Sequence, residues 1–307
     1  MIDREYNNTV LITGGTGLLG KYLIENKAPD TEIIAIYVGD YEMPGREGVR
    51  YHKADIRDKK AIQDLFEKTK PDMVIHTAAV GSPDFAEKNR ELTLEINVGG
   101  TKNLLSNSEI FNAAFVYISS NGIYDGENAP YSEDDPAHPV NVYGEIKLQA
   151  EVMVKNSKLK KAIVRPILMY GWNNPSERPN IVTQSIAKLK RGEDIFVYDD
   201  VYCNPLYAES CAAAIWKIIS EDKYDTYNIA GADRESVFGL IKKAAQAFQL
   251  NEGLIHPVQE GYFNELVKRP QDTTFVTDKM ISRLGCRPMT IIEGFTEMKK
   301  AQANIST

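Results

Sequence analysis

The segment Thr13-Gly14-Gly15-Thr16-Gly17-Leu18-Leu19-Gly20 constrains this chain more than any other feature. It follows a β-branched apolar run, Thr9–Thr13, and opens a helical stretch, Leu18–Glu25. Without a Cβ, Gly14 permits a tight turn, Gly17 lets backbone approach a ligand, and Gly20 lets the helix lie against the strand. A helix start also leaves amides unpaired at the positive end of its dipole, which suits phosphate. Thr16, Leu18 and Leu19 are therefore read as part of a pyrophosphate cradle. Glycines at this spacing also occur in turns that bind nothing. The strand before and the helix after are the context that dinucleotide binding requires.

Strand-like and helix-like segments alternate onward from this turn. Strands are expected at Glu32–Val38, Arg50–Ile56, Met73–His76, Ala114–Ser119 and Lys161–Ile167. Helices are expected around Ala61–Phe66, Leu92–Leu105 and Val142–Lys155. Such alternation implies right-handed crossovers and an α/β fold, a Rossmann-type doubly wound parallel sheet. Beyond residue 165 the regularity breaks at the loop Gly171–Asn180. Helical patterns return at Ile181–Arg191, Ala208–Ser220, Val237–Leu250 and Ile291–Ala303, with short strands at Ile195–Tyr198 and Thr226–Ala230. The expected division is a nucleotide-binding domain of residues 1–165, joined by 205–232. A smaller discontinuous substrate lobe takes 166–204 and 233–307, with the cleft between them as the site.

Composition narrows the function. A net charge of −7 over 307 residues argues against a nucleic-acid or anionic-membrane binder. Three cysteines, Cys203, Cys211 and Cys286, form no paired motif, so neither a disulfide framework nor a zinc site is expected. His52, His76, His138 and His256 lack metal-ligand spacing and are read as structural, with His76 placed near the cofactor. No run is long enough for a membrane span, and the polar Met1–Asn8 segment is no signal peptide. A cytosolic, metal-free protein is the expectation.

The choice between NAD and NADP stays open. An acidic ribose ligand would fall near Tyr37; Asp40 lies further on, and Arg46 is the nearest arginine for a 2′-phosphate. Lacking a carboxylate at Tyr37, the chain is expected to accept NADP, alongside NAD. Asp55, followed by Ile56, stands where a carboxylate meets an adenine amino group, or equally where it caps a helix.

Tyr143-Gly144-Glu145-Ile146-Lys147 places Tyr143 and Lys147 on one helical face. A phenol with an ordinary pKa near 10 exchanges protons poorly at neutral pH, and an adjacent ammonium would lower that value. Ser119-Ser120, at the end of a predicted strand, offers a hydroxyl to polarise a carbonyl. A surface tyrosine–lysine pair is the bland alternative.

Together TGGTGLLG, HTAAV, YISSNGIYDG, PVNVYGEIK and VRPILMYG resemble the extended short-chain dehydrogenase/reductase superfamily, in particular dTDP-4-dehydrorhamnose reductases and their relatives. The resemblance implies catalytic Ser120, Tyr143 and Lys147. It places Ala78, Ala79, Asn97 and Ser119 beside the cofactor, with His76 where the family often has Asn. Arg269-Pro270-Gln271-Asp272, then Lys279 and Leu284-Gly285, resembles the family's C-terminal substrate motif. Related dehydratases carry Asp-Glu after the catalytic hydroxyl; Asn121-Gly122 stands here and disfavours dehydration. Leu168 replaces a usual Trp, and Ser210 stands near a usual Asp.

A nucleotide-linked 4-keto-6-deoxysugar is the implied substrate, with Ser120 and Asn121 at the sugar. Arg178, Lys268 and Arg269 are candidates for its phosphates, and Trp172 for a further contact; Trp216 is read as core. A nucleotide-sugar epimerase is the alternative enzyme. The same architecture serves a non-catalytic relative, the NADP-binding regulatory beta subunit of methionine adenosyltransferase. Dimerisation is expected by analogy.

Overall fold

The β-branched run at Asn8–Thr13 forms β1, buried from Val10 onward. Gly14 then turns the chain with φ +68° into α1 (Leu18–Glu25). The structure is a computed structural model and describes residues 6–40, 43, 45–175, 177–263 and 267–305. There follow β2 (Thr31–Tyr37), β3 (Val49–Lys53), α2 (Lys59–Thr69), β4 (Met73–His76), α3 (Pro83–Lys88), α4 (Arg90–Leu94), α5 (Thr101–Phe111), β5 (Ala114–Ile118), α6 (Val142–Asn156) and β6 (Lys161–Pro166). The second half holds β7 (Met169–Tyr170), α7 (Ile181–Lys190), β8 (Ile195–Tyr198), β9 (Tyr202–Cys203), β10 (Leu206–Tyr207), α8 (Ala208–Ser220), β11 (Thr226–Ile229), β12 (Glu235–Ser236), α9 (Val237–Ala247), β13 (Ile255–Val258), α10 (Asp278–Leu284) and α11 (Ile291–Ile305).

Seven strands make one parallel sheet in the order β11-β6-β5-β4-β1-β2-β3. The chain winds outward from β1 to β3, returns to the other side of β1 with β4, and winds outward again. Between β1 and β4 the crossovers leave in opposite directions, which opens a crevice at the carboxyl ends. Apolar side chains cover both faces. Leu19, Leu23 and Ile215 lie on one side, and Ile62, Phe66, Leu104 and Val154 on the other. The smaller pairs β7–β10, β9–β12 and β8–β13 build out from this sheet with α7, α9 and α11.

Several expected boundaries shift for local reasons. β3 stops at Lys53 instead of Ile56, because Asp55 folds into a turn that accepts the Arg57 amide at 2.9 Å. Asp55 is not the helix cap either; Asp58 caps α2 by accepting from the Ala61 amide at 3.0 Å. The helix expected over Leu92–Leu105 is interrupted by a π-helical turn at Glu95–Gly100. There Asn97 is bonded to both the amide and the carbonyl of Val80, and Gly100 lies against Ile56. The last helical pattern before residue 250 ends at Ala247. Short elements such as α3, α10 and the two-residue strands carry too few residues to show a period.

Trp216 is half-buried and donates its indole N–H to the Leu23 carbonyl at 3.0 Å, seating α8 on α1. Among the described residues no helix is long and apolar enough to cross a membrane. Leu23 is wholly buried between α1, α8 and the sheet. Leu23→Ala should lower stability by about 2–5 kcal/mol, read as a lower urea midpoint with an unchanged slope.

Candidate active site

Two adjoining cavities occupy the carboxyl ends of the strands. One, of about 580 Å³, is lined by Gly14, Thr16, Gly17, Leu18 and Leu19, by Tyr37 at the end of β2 and Val38 after it, by Ala54–Arg57, and by Thr77–Val80. The other, of about 460 Å³, is lined by Ser119–Gly122, Tyr143, Lys147, Leu168, Met169, Val201–Cys203, Arg269 and Thr273. Thr77, Ala79, Ile118 and Met169 line both, so a long ligand can run from one to the other. A third cavity, of about 720 Å³, lies among Asn8, Asp72, Asn112 and Lys160 at the opposite, amino ends of the strands. It contains neither the glycine turn nor Tyr143.

The first cavity depends on close packing of the turn. A Cβ on Gly20 would stand 2.2 Å from the Gly14 carbonyl oxygen, and one on Gly14 would stand 2.7 Å from Thr77 Oγ1. Gly17 caps α1 without a side chain, so no side-chain acceptor takes up the first amides of the helix. The loop after β7 folds back over the turn, Asn174 donating to the Thr16 carbonyl at 2.6 Å. Asp55 lines this cavity but is held by Arg57, whose guanidinium donates to it at 2.6–3.1 Å. That bond keeps the Asp55 carboxyl below the usual range. Arg57 lines the cavity too, so Arg46 is not the nearest arginine. Asp40 lies outside it, paired with Lys53.

A directional chain of hydrogen bonds ties the two sides of the crevice. Thr13 Oγ1 accepts from the Ala78 amide at 3.0 Å and meets His76 Nδ1 at 2.7 Å. His76 Nε2 meets Thr101 Oγ1 at 2.9 Å, and that hydroxyl donates to the Asn97 carbonyl at 2.5 Å. Each hydroxyl has one proton, so Thr13 donates to Nδ1 and the imidazole carries its proton on Nε2. Burial, with the nearby Lys147 charge, pushes His76 down to about 3, so it is neutral at physiological pH. Asn97 lines neither cavity; it holds Val80, which does.

The second cavity is organised by α6. Asn141 caps it by accepting from the Gly144 amide at 2.9 Å, and its amide donates to the Lys268 carbonyl at 3.2 Å. Tyr143 and Lys147 then face the cavity one turn apart. Ser120 Oγ accepts from the Gly122 amide at 3.0 Å, and Ser120 lines the cavity together with Tyr143. Lys147 donates to the Ile118 carbonyl at 2.6 Å, with its ammonium 4.4 Å from the centre of the Tyr117 ring.

The expected acidification of Tyr143 by Lys147 is not found. Burial raises the Tyr143 phenol against the opposing bond from Ser120, and burial brings Lys147 down to about 7 against the attraction of Glu151. The lysine is the group that burial moves into the neutral range.

Other expected residues are placed differently. Ser119 Oγ donates to Glu151 at 2.6 Å, so that hydroxyl is committed away from the cavity and Ser120 alone faces Tyr143. Asn121 lines the cavity and donates to Thr273 Oγ1 at 2.8 Å. Arg269 lines it and pairs with Asp84 of α3 at 2.8 Å. Arg178 is exposed and lines neither cavity, and Lys268 enters only through its backbone. Trp172 points away from the cleft, its indole N–H on the Met298 carbonyl and its ring edge-on to Phe248. Cys203 lines the cavity, but burial pushes its thiol up to about 12, so it is no nucleophile. Arg57, Thr273 and Glu151 carried no sequence motif; only the four-residue spacing Tyr143, Lys147, Glu151 would have exposed the last.

A glycine turn at the switch point of a parallel Rossmann sheet, with Ser120, Tyr143 and Lys147 beyond it, defines the extended short-chain dehydrogenase/reductase class. Within that class, the family model described as the RmlD substrate binding domain matches residues 8–303, and the chain belongs to that family. It is similar to methionine adenosyltransferase 2 subunit beta of Xenopus laevis, 34% identical over 269 residues, covering 81% of this chain and 75% of the relative. It is also similar to dTDP-4-dehydrorhamnose reductase of Aggregatibacter actinomycetemcomitans, 25% identical over 292 residues, covering 91% and 94%. Among solved structures, dTDP-4-dehydrorhamnose reductase of Bacillus anthracis in complex with NADP superposes with a TM-score of 0.84. Its identity is 28%, covering 96% of this chain and 99% of that one.

Helix α6 reaches the Ser120 loop only because Gly144 has no side chain; a Cβ there would stand 2.1 Å from the Gly122 carbonyl oxygen. Gly144→Ala should push Ser120 from Tyr143 and cost about 1–3 kcal/mol. A lowered urea midpoint, beside an overall circular dichroism spectrum that stays folded, would check this.

Proposed function

We propose that this protein is an NAD(P)-dependent reductase of a nucleotide-linked 4-keto-6-deoxysugar. The observation that carries the reading is continuity: the glycine-turn cavity runs into the one where Ser120, Tyr143 and Lys147 meet. The first suits a dinucleotide, with uncapped α1 amides for a pyrophosphate and Asp55 for an adenine. A bound nicotinamide cofactor supplies the hydride; the chain supplies the rest. Ser120 and Tyr143 hydrogen-bond the carbonyl oxygen and Tyr143 gives it a proton, while Lys147 as an ammonium holds the ribose and stabilises the phenolate left behind. Leu168, Met169 and Val201 offer an apolar wall to a deoxysugar methyl group, and Arg269 a guanidinium to the diphosphate.

Arg57 at the adenosine end, with no acid at Tyr37, supports acceptance of NADP. Residues 1–165 with 205–232 form the nucleotide domain on this reading, and 166–204 with 233–307 the substrate lobe. A cytosolic homodimer completes it. A second reading draws on the similarity to methionine adenosyltransferase 2 subunit beta: a cofactor-binding regulatory subunit.

A panel of dTDP-, UDP-, GDP- and CDP-linked 4-keto sugars, with NADPH and NADH in parallel, separates the two. Loss of absorbance at 340 nm with product confirmed by NMR is expected for at least one sugar. Silence across the panel, together with tight NADPH binding, would select the regulatory reading. On a sugar that turns over, Tyr143→Phe should lower kcat by about 10²–10⁴ with little change in cofactor affinity. Wild-type turnover in that variant would remove Tyr143 as the acid.

A further inference from the structure

Tyr143, Lys147 and Glu151 follow one another at four-residue intervals along α6, and only the first two line the cavity. Glu151 is fully buried. Its carboxylate accepts from the Arg165 guanidinium at 2.6 and 3.2 Å and from Ser119 Oγ at 2.6 Å. Arg165, on β6, also donates to the Tyr124 hydroxyl at 2.7 Å and the Glu133 carbonyl at 3.1 Å. An apolar pair of the same volume commonly stabilises a core as well as a buried ion pair does. Stability alone therefore gives no reason for a carboxylate at this point, whereas a lysine one turn away with no carboxylate hydrogen-bonded to it does.

We propose that Glu151 is a positioning residue for the reduction, holding Lys147 as an ammonium by its charge and fixing the Ser119–Ser120 strand end by its hydrogen bond. This rests on the reading of Lys147 as the working lysine. The groups around that lysine leave Glu151 as the stabilising charge. The Tyr117 ring of β5 faces it, and Tyr143 shares its helix. His76 of β4 is neutral, and its protonated form would oppose the ammonium. Two cations pair with the Glu151 carboxylate, Arg165 at 2.6 Å and Lys155 at 3.4 Å, and among these charges Glu151 is the one that favours the Lys147 ammonium. Burial draws Lys147 down to about 7, and Glu151 opposes that fall. The ammonium is present below this value and is lost as pH rises through it. Removing the Glu151 charge moves the loss to lower pH.

The test follows Lys147 itself. Protein labelled with ¹³C-lysine is titrated by NMR, the Lys147 signal being assigned by its disappearance in Lys147→Met. Glu151→Gln should lower the Lys147 midpoint by about one pH unit and move the alkaline limb of kcat by the same amount. Because the single variant leaves Arg165 without its partner, Glu151→Gln/Arg165→Met is titrated beside it and should show a fall of the same sign. Ser119→Ala keeps the charge and loses only the hydrogen bond, so its midpoint should stay in place. An unmoved midpoint in the Glu151 variants, or an equal shift in Ser119→Ala, would overturn the proposal. A shifted midpoint in a protein that reduces none of the sugars would sustain the electrostatic role while the reductase reading alone fails.

Discussion

The relay Thr13–His76–Thr101–Asn97–Val80 is the interaction on which the rest of the site depends. A doubly wound sheet must open between β1 and β4, because crossovers leave these strands in opposite directions. An opening made of backbone ends would be soft if nothing spanned it. Here Thr13 donates to His76, His76 to Thr101 and Thr101 to the Asn97 carbonyl, from the end of β1 through the end of β4 into the π-helical turn, and the Asn97 side chain exchanges two bonds with the Val80 backbone in the loop after β4. The direction of the bonds from Thr13 to the Asn97 carbonyl follows from the single proton on each hydroxyl, which leaves one tautomer for His76. A charged imidazole would break this order, and burial keeps it neutral.

Much of this was legible in the sequence, and the limits were physical. The glycine turn and the alternating periods read through because backbone geometry depends on residue type and spacing. Tyr143 and Lys147 read through because four residues along a helix mean one face. Ser119 did not: successive residues at a strand end point opposite ways, and only the packing of α6 shows that Ser119 faces Glu151 while Ser120 faces the cavity. Arg178 and Trp172 lie in a loop whose course no periodicity encodes, and both turn away from the cleft. Arg57 was hidden for a related reason. It belongs to a turn that Asp55 makes with the Arg57 amide, and that turn ends β3 earlier than its apolar character implied.

The site also shows how burial divides work between neighbours. The same dry surroundings raise the Tyr143 phenol and lower the Lys147 ammonium, each toward its neutral form. A protonated tyrosine suits a proton donor, so burial favours the role proposed for Tyr143. A neutral lysine would serve badly as an anchor for a phenolate, so burial works against it. On the proposed roles, opposite demands on adjacent groups are met by one carboxylate, Glu151, one helical turn from the lysine.

The pair between Arg269 and Asp84 joins the C-terminal segment to α3 at the rim of the second cavity. An incoming diphosphate would find that guanidinium already holding a carboxylate, so its arrival is an exchange of one anion for another. Salt weakens the resident pair and the arriving contact together. A diphosphate that bound by such an exchange would have an affinity less sensitive to ionic strength than capture by a free arginine would give.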